Sequence, residues 1–238
     1  MKMRVFDLET TGLPEDEAAD ICEVGYTDLL SSGEICATRW QLIDPGHPIP
    51  PELSAIHHIT NEDVAGMPTS DTVVPYLTDG MTLTDIFVAH NADFERHFTP
   101  LPEYRFICTH KVAHHLYPDL KSHSNQALRY RFGLPVDREF ANQAHRAGPD
   151  SHVTAHLLRA FLQFGVSIEE MLEITSRPII LRTCPLNKYY GQPWENVDEG
   201  YLEWILRTPD MKKDVVNTAK HHLELRRQRR SDPFGGNR

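Results

Sequence analysis

Carboxylates at three places along the chain have the types and spacing to do chemistry. Asp7 and Glu9 stand two residues apart in Lys2–Glu9, a stretch that reads as a β-strand. Residues i and i+2 of a strand project to one face, about 7 Å apart along it. Two like charges so placed repel and call for cations, and the loop beyond, with Gly12, leaves room for a ligand. The second group is His90-Asn91-Ala92-Asp93-Phe94-Glu95, directly after the apolar run Leu83–Ala89. It delivers acids at the end of a buried strand and the start of a helix. The third is His145-Arg146-Ala147-Gly148-Pro149-Asp150, where Asp150 opens an apolar helix and His145 lies in a Gly/Pro-containing loop. Each group alone has a plain structural use: a solvated strand end, an N-cap, an acid at the positive end of a helix dipole, a surface imidazole. Together they describe something narrower. Acids gathered at strand and helix ends with a histidine nearby can hold hard cations, which prefer oxygen ligands, and activate water. Two such ions roughly 3.5–4 Å apart can clamp the attacking and leaving oxygens of a phosphodiester.

Composition restricts the alternatives. The chain has 238 residues and 27.3 kDa, 40% hydrophobic and 24% charged, values of an ordinary globular protein of one or two domains. Lys+Arg number 24 against 34 Asp+Glu, a formal charge of −10, which argues against coating nucleic acid by charge alone but not against meeting it through metal ions. No run approaches the roughly 20 apolar residues of a membrane span. The first residues have an acid where a signal peptide needs an apolar stretch, so a cytoplasmic location is expected. Four cysteines lie far apart without a CxxC pair, the pattern of reduced thiols. His110-x3-His114 and His152-x3-His156 lack the intervening Glu and the cysteines of a zinc site, and no Walker A, dinucleotide or nucleophile-elbow motif is present.

The elements that must position the acids follow from pattern. Lys2–Glu9 is followed by Ile21–Leu30 and Ile35–Ile43, joined by the turn Ser31-Ser32-Gly33-Glu34 as a hairpin. Asp44 to Pro51 reads as a loop and Asn61-Glu62-Asp63 as a short helix start. Leu83–Ala89 and Arg105–Thr109 read as strands. Helices are expected at Phe94–Phe98, His110–Tyr117, Ser124–Phe132 and Asp150–Phe164, and Ser167-Ile168-Glu169-Glu170 is a capping box opening another to Thr175. A hairpin followed by alternating strands and helices predicts an α/β mixed β-sheet flanked by helices. Beyond Arg177-Pro178 the texture changes. Gly200–Arg207 and Met211–Gln228 read as helices in a block, 177–228, too small to hold much core by itself. There Trp194, Tyr201 and Trp204 could stack on bases, though helical spacing favours core packing for Trp204. Residues 229–238 form a basic tail expected to lack fixed structure.

Asp7-Leu8-Glu9-Thr10-Thr11-Gly12-Leu13, the segment 91–95 and His145-x4-Asp150 resemble, in order and spacing, the three motifs of the DEDDh 3′→5′ exonucleases. That family includes polymerase proofreading subunits and has a ribonuclease H-like fold, and the match spans most of residues 1–175. The resemblance implies an exonuclease domain over 1–176 that releases 5′-nucleoside monophosphates from 3′ ends with two Mg²⁺ or Mn²⁺ ions. Asp7, Glu9 and Asp150 would bind one ion, the second-motif acid would position the other with Asp7, and His145 would be the general base. Thr10 and Thr11 would meet the terminal sugar, Leu13 would stack on or wedge against the last base, and His57 and Asn91 would line the cleft. One departure stands out: the family reads Asn-x-x-Phe-Asp, and here the last position is Glu95. Asp93 is the alternative ligand, about 200° away around a helix; Glu95 occupies the aligned position.

Further segments, Ala55-Ile56-His57-His58-Ile59-Thr60, Asn187-Lys188-Tyr189-Tyr190-Gly191 and Gly200-Tyr201-Leu202-Glu203-Trp204, resemble a DNA-directed branch of that family with a small, mainly helical carboxy-terminal extension. The implied partner is a DNA 3′ end, single-stranded or a frayed duplex. RNA is the nearest alternative, and a homo-oligomer is left open. A different class of protein, a nucleic-acid-binding or polymerase-accessory chain with weakened activity, would make Glu95 the mark of the loss.

Overall fold

The structure is a computed structural model that describes residues 1–231. In chain order it has strands β1 (Lys2–Thr10), β2 (Ile21–Leu30) and β3 (Arg39–Leu42) and helices α1 (Pro51–His57), α2 (Asn61–Val64) and α3 (Val73–Thr78). Then follow β4 (Ile86–Ala89), α4 (Ala92–Phe98), β5 (Arg105–Cys108), α5 (Thr109–Leu116), α6 (Asn125–Phe132) and α7 (Arg138–Ala141). Four helices complete it: α8 (Ala147–Gln163), α9 (Ile168–Ser176), α10 (Glu199–Arg207) and α11 (Lys213–Ser231). The chain divides into two compact units, one of residues 1–112 and 122–175, the other of 113–121 and 176–231.

In the first unit the strands form one mixed sheet in the order β3-β2-β1-β4-β5. β1–β2 and β2–β3 run antiparallel, β1–β4 and β4–β5 parallel. β1 is therefore central, and its face alternation is driven by burial: Phe6 and Leu8 join Val24, Tyr26, Phe87 and Phe106 in one core cluster. Phe6 meets Phe87 and Phe106 edge-on, with ring centroids 5.6 and 6.3 Å apart. Asp7 and Glu9 point to the other face, where α8 lies against β1 and β2. α8 turns Val153, Leu157 and Phe161 fully inward. The register pairs Asp7 with Gly25 and Glu9 with Glu23, and a bulge between Glu9 and Thr10 ends the ladder beside the acids.

The expected strands are shorter in two places. Leu83 is 64% exposed, because the Asp85 carboxylate accepts from Thr82 N–H, Thr82 hydroxyl and Lys2 N–H, closing a turn that delays β4 to Ile86. Ile35 makes only an isolated bridge to Leu29, and Thr38 turns inward to Thr27, so the second arm of the hairpin pairs only over Arg39–Leu42. The pattern also passed over α1, whose Pro51 sits at the helix start, and over α3 and α7.

The second unit encloses a core of its own, contrary to the expectation from its size. Trp194, Val197, Leu202, Ile205, Val215 and Leu223 are buried together between α10, α11 and the short 3-10 turn Trp194–Asn196. Trp204 is not part of that core; it is 47% exposed. α11 runs to Ser231, so residues 229–231 of the expected tail are helical, with Arg230 paired to Glu199; the rest of it, 232–238, lies outside the described residues. No helix of the described residues is long and apolar enough to cross a membrane.

Gly25 fixes how closely α8 approaches. A Cβ there would lie 2.5 Å from the backbone of Ala147 and Gly148, where nothing can yield cheaply. Gly25→Ala is expected to cost about 1–3 kcal/mol of stability, read as a lowered urea midpoint at unchanged slope; an unchanged midpoint would mean that α8 is not held this tightly.

Candidate active site

The carboxylates of Asp7, Glu9 and Asp150 offer ligand oxygens that all lie within 4.8 Å of one another. Among the described residues this is the one group of three or more acids, histidines or cysteines so gathered. Two elements deliver it: β1 aims Asp7 and Glu9 to one face, and the first turn of α8 brings Asp150 over them. α8 starts at Ala147, three residues earlier than the apolar pattern indicates. Pro149 costs nothing there because the first turn's N–H groups have no helical acceptor.

Glu95 faces the same charges. It is 3% exposed, and its Oε2 is buried without a hydrogen-bond partner among the described residues. A buried carboxylate oxygen without a donor is costly, and such an oxygen suits a cation ligand. Asp93, by contrast, is exposed and pairs with Lys111 at 3.4 Å. The structure thus turns Glu95 inward and Asp93 outward, as the helical offset requires.

Asp150 is held by neighbours that sequence reading passed over. Asn125 Nδ2 donates to its backbone oxygen at 3.0 Å, Gln126 Nε2 to its carboxylate at 3.3 Å, and the His145 backbone N–H to its Oδ2 at 2.8 Å. His145 is exposed and adopts φ = +59°, a left-handed conformation that lets its N–H turn back onto Asp150. Arg146, the next residue, clamps Glu23: its Nε lies 3.2 and 3.0 Å from the two carboxylate oxygens, its Nη2 2.5 Å from Oε1, and Ala147 N–H adds a bond of 2.7 Å. Glu23 is fully buried on β2 opposite Glu9. Its signal in the sequence was an acid inside the apolar strand Ile-Cys-Glu-Val-Gly-Tyr; its partner, 123 residues away, had none.

The remaining expected contacts fall differently. Leu13 is 65% exposed at the tip beyond β1, free to touch a ligand. Asn91 is exposed at the N-cap of α4 and its side chain makes no cap bond. The hydroxyls of Thr10 and Thr11 are buried and engaged by neighbours: Thr10 donates to Gly12 O, and Thr11 accepts from Asp20 N–H and lies 3.5 Å from His47 Nε2. His57 is also buried, its Nδ1 accepting from Ile59 N–H across the turn that ends α1. Burial holds its pKa below the usual histidine value.

The electrostatics of the acids are severe. Burial pushes Glu9 and Glu95 each up to about 8. Asp150 and Glu23 add to the rise at Glu9, against the pull of Arg146; Glu9 and Asp93 add to that at Glu95, against a backbone hydrogen bond. Asp7 is raised well above the carboxylate range by burial and then by Asp150, Glu9, Glu95 and Glu23. Asp150 is raised by burial and held back by the His145 N–H and Gln126. Acids so crowded are poor anions by themselves and good ligands for a divalent cation.

The exonuclease family's sequence model, of the RNase T type, matches residues 5–158. The chain belongs to the exonuclease family. It is 35% identical over 227 residues to Exodeoxyribonuclease 10 of Escherichia coli (strain K12), covering 93% of this chain and 99% of that protein. It is 33% identical over 168 residues to DNA polymerase III PolC-type of Streptococcus suis (strain 98HAH33), covering 67% of this chain but 11% of that larger protein. Among solved structures it is similar to exonuclease X in complex with 5′ overhanging duplex DNA, at TM-score 0.61 and 34% identity over 73% of this chain and 99% of that one. The mixed sheet with its flanking helices is the ribonuclease H-like fold of these exonucleases.

A pH dependence follows from the raised carboxylates. An unfolded Glu loses its proton near 4.5, while folded Glu9 and Glu95 keep theirs to about 8. Between those values these two folded glutamates bind more protons than the unfolded ones, so their contribution to stability falls as pH rises. Below about 6.5 the buried neutral His90, His110 and His156 act in the opposite sense, so the Tm of the EDTA-treated protein is expected to drop from pH 7 to 8. Mn²⁺ at about a hundredfold excess over its Kd is expected to raise it by roughly 5–10 °C at pH 8 and by less at pH 5. A metal-free Tm that rises from pH 7 to 8 would contradict these shifts.

Proposed function

We propose that this exonuclease is a DEDDh-type 3′→5′ exodeoxyribonuclease that removes 5′-nucleoside monophosphates from single-stranded or frayed 3′ ends with two Mg²⁺ or Mn²⁺ ions. The observation that carries the reading is the gathering of Asp7, Glu9 and Asp150 on one sheet face with the orphaned Glu95 carboxylate turned toward them. The likeness to an exodeoxyribonuclease over nearly the whole chain supports DNA over RNA. Residues 1–176 are the catalytic domain in this proposal and 177–228 its extension.

Asp7, Glu9, Glu95 and Asp150 would hold the cations, whose chemistry is to offset charge on the phosphodiester and make bound water a better nucleophile. The oxygen-only donor set suits hard ions of this kind. His145, exposed beside Asp150, accepts the proton of the attacking water. The bond between phosphorus and the 3′-oxygen of the penultimate sugar breaks as the water oxygen bonds to phosphorus, and the terminal nucleotide leaves as its 5′-monophosphate. Asn125 and Gln126 keep the Asp150 carboxylate in place, and the Arg146–Glu23 clamp fixes the backbone on which His145 stands. Leu13 and Asn91 supply the exposed contacts to the terminal nucleotide. Thr10 and Thr11 shape the loop beneath it and can meet the sugar only through their backbone.

The test uses 3′- and 5′-labelled DNA and RNA oligomers with Mg²⁺, Mn²⁺ or EDTA. Metal-dependent shortening from the 3′ end, faster on DNA, is expected. Asp7→Ala is expected to abolish it, and Glu95→Ala to cost at least tenfold more in kcat than Asp93→Ala. No shortening would sink the enzyme reading and favour a binding role; the reverse order of the two variants would move the second-motif ligand to Asp93.

A further inference from the structure

We infer that the unit of residues 113–121 and 176–231 is a binding platform for single-stranded nucleic acid, with the rings of Tyr189, Tyr201 and Trp204 as its stacking surface and the basic end of α11 as its phosphate contact. The inference rests on the nucleic-acid substrate proposed above and extends it to a second site.

Charge is divided between the two units. Residues 1–112 and 122–175 contain 25 Asp+Glu and 11 Lys+Arg, a formal −14; residues 113–121 and 176–231 contain 8 and 12, a formal +4. A catalytic unit of that sign gains little from phosphates at a distance, so the attractive charge for a polyanion lies on the small unit. Helix α11 carries most of it toward its end. Arg230 pairs with Glu199, and Arg226 donates to the carbonyls of Trp194, Glu195 and Val197, which fixes this basic end beside the start of α10. Arg227 and Arg229 form no ion pair among the described residues.

α10 also carries the rings. Tyr201 stacks on Trp204 with centroids 4.9 Å apart and planes at 25°, and Tyr189 leans on Tyr201 at 5.1 Å. Lys188 Nζ lies 4.9 and 5.1 Å from the Tyr189 and Tyr201 centroids. The arrangement is held from one point: Asp198 caps α10 through Tyr201 N–H and accepts from Lys188 and from the Tyr189 hydroxyl. Core packing accounts for only part of the ladder: Tyr189 and Tyr201 are partly buried against the core built on Trp194, while Trp204, at the ladder's outer end, is nearly half exposed and outside that core. Pre-oriented rings with cations at hand are what sequence-tolerant binding of single strands uses, because every base has a face to stack.

The test measures binding by the full chain in EDTA, with fluorescence anisotropy of a labelled single-stranded oligodeoxythymidine. Trp204→Ala is expected to weaken binding about tenfold, the scale of one lost base stack, and Trp204→Phe to keep most of it. The double variant Arg227→Gln, Arg229→Gln is expected to lower the slope of log affinity against log salt by about 1.4, two phosphate contacts on a single strand. It is an exposed helical change and serves even where Trp204→Ala lowers the thermal midpoint. Unchanged affinity and slope would overturn the inference, as would a wild-type dimer in sedimentation that Trp204→Ala converts to monomer, which would give the ladder to a second copy. Wild-type hydrolysis of thymidine 5′-monophosphate p-nitrophenyl ester separates the two readings. Hydrolysis with Trp204-independent binding fails the platform alone; no hydrolysis with Trp204-dependent binding fails the nuclease alone.

Discussion

Carboxylates that repel one another in a poorly hydrated place set the terms for the rest of this structure. Asp7, Glu9 and Asp150 share one small volume, with Glu23 close enough to raise the pKa values of Asp7 and Glu9 further and Glu95 that of Asp7. Like charges in low dielectric are expensive unless each is protonated or paired. The chain pairs one of them fully: Glu23 takes Arg146 and the Ala147 N–H. Asp150 receives three donors, two from side chains of α6 and one from the His145 backbone. Asp7, Glu9 and Glu95 are left to protons or to cations, which is the condition of a metal cage.

The fold places this conflict where it can be sustained. β1 is the central strand, tied on both sides and buried over Phe6 and Leu8, so its acids cannot retreat into solvent by local fraying. Gly25, the partner of Asp7 in the register, lets the start of α8 touch β2. That contact brings Asp150 over β1 and lets Arg146 reach Glu23. The bulge after Glu9 then frees the chain to form the loop that presents Leu13.

Much of this was legible from residue order because it is local. Two acids at i and i+2 of a strand share a face, and helical spacing separates Glu95 from Asp93; neither conclusion needs tertiary information. What was missed depends on partners distant in sequence. The Glu23–Arg146 clamp spans 123 residues, and the inward turn of Thr38 that shortens β3 answers to Thr27. His57 and the hydroxyls of Thr10 and Thr11 carry the right chemistry for ligand contact, yet the loops use them internally. Trp204 has core spacing on its helix, but Trp194 already fills the small unit's interior, so Trp204 is left outward.

The central claim is that the repulsion at the end of β1 is balanced by divalent cations. Crystals grown with Mn²⁺ and measured at a wavelength where it scatters anomalously test it most directly. The account requires anomalous peaks within ligand distance of Asp7, Glu9, Glu95 and Asp150, and their loss in Asp7→Asn. Mn²⁺ bound elsewhere with these carboxylates bare would contradict it.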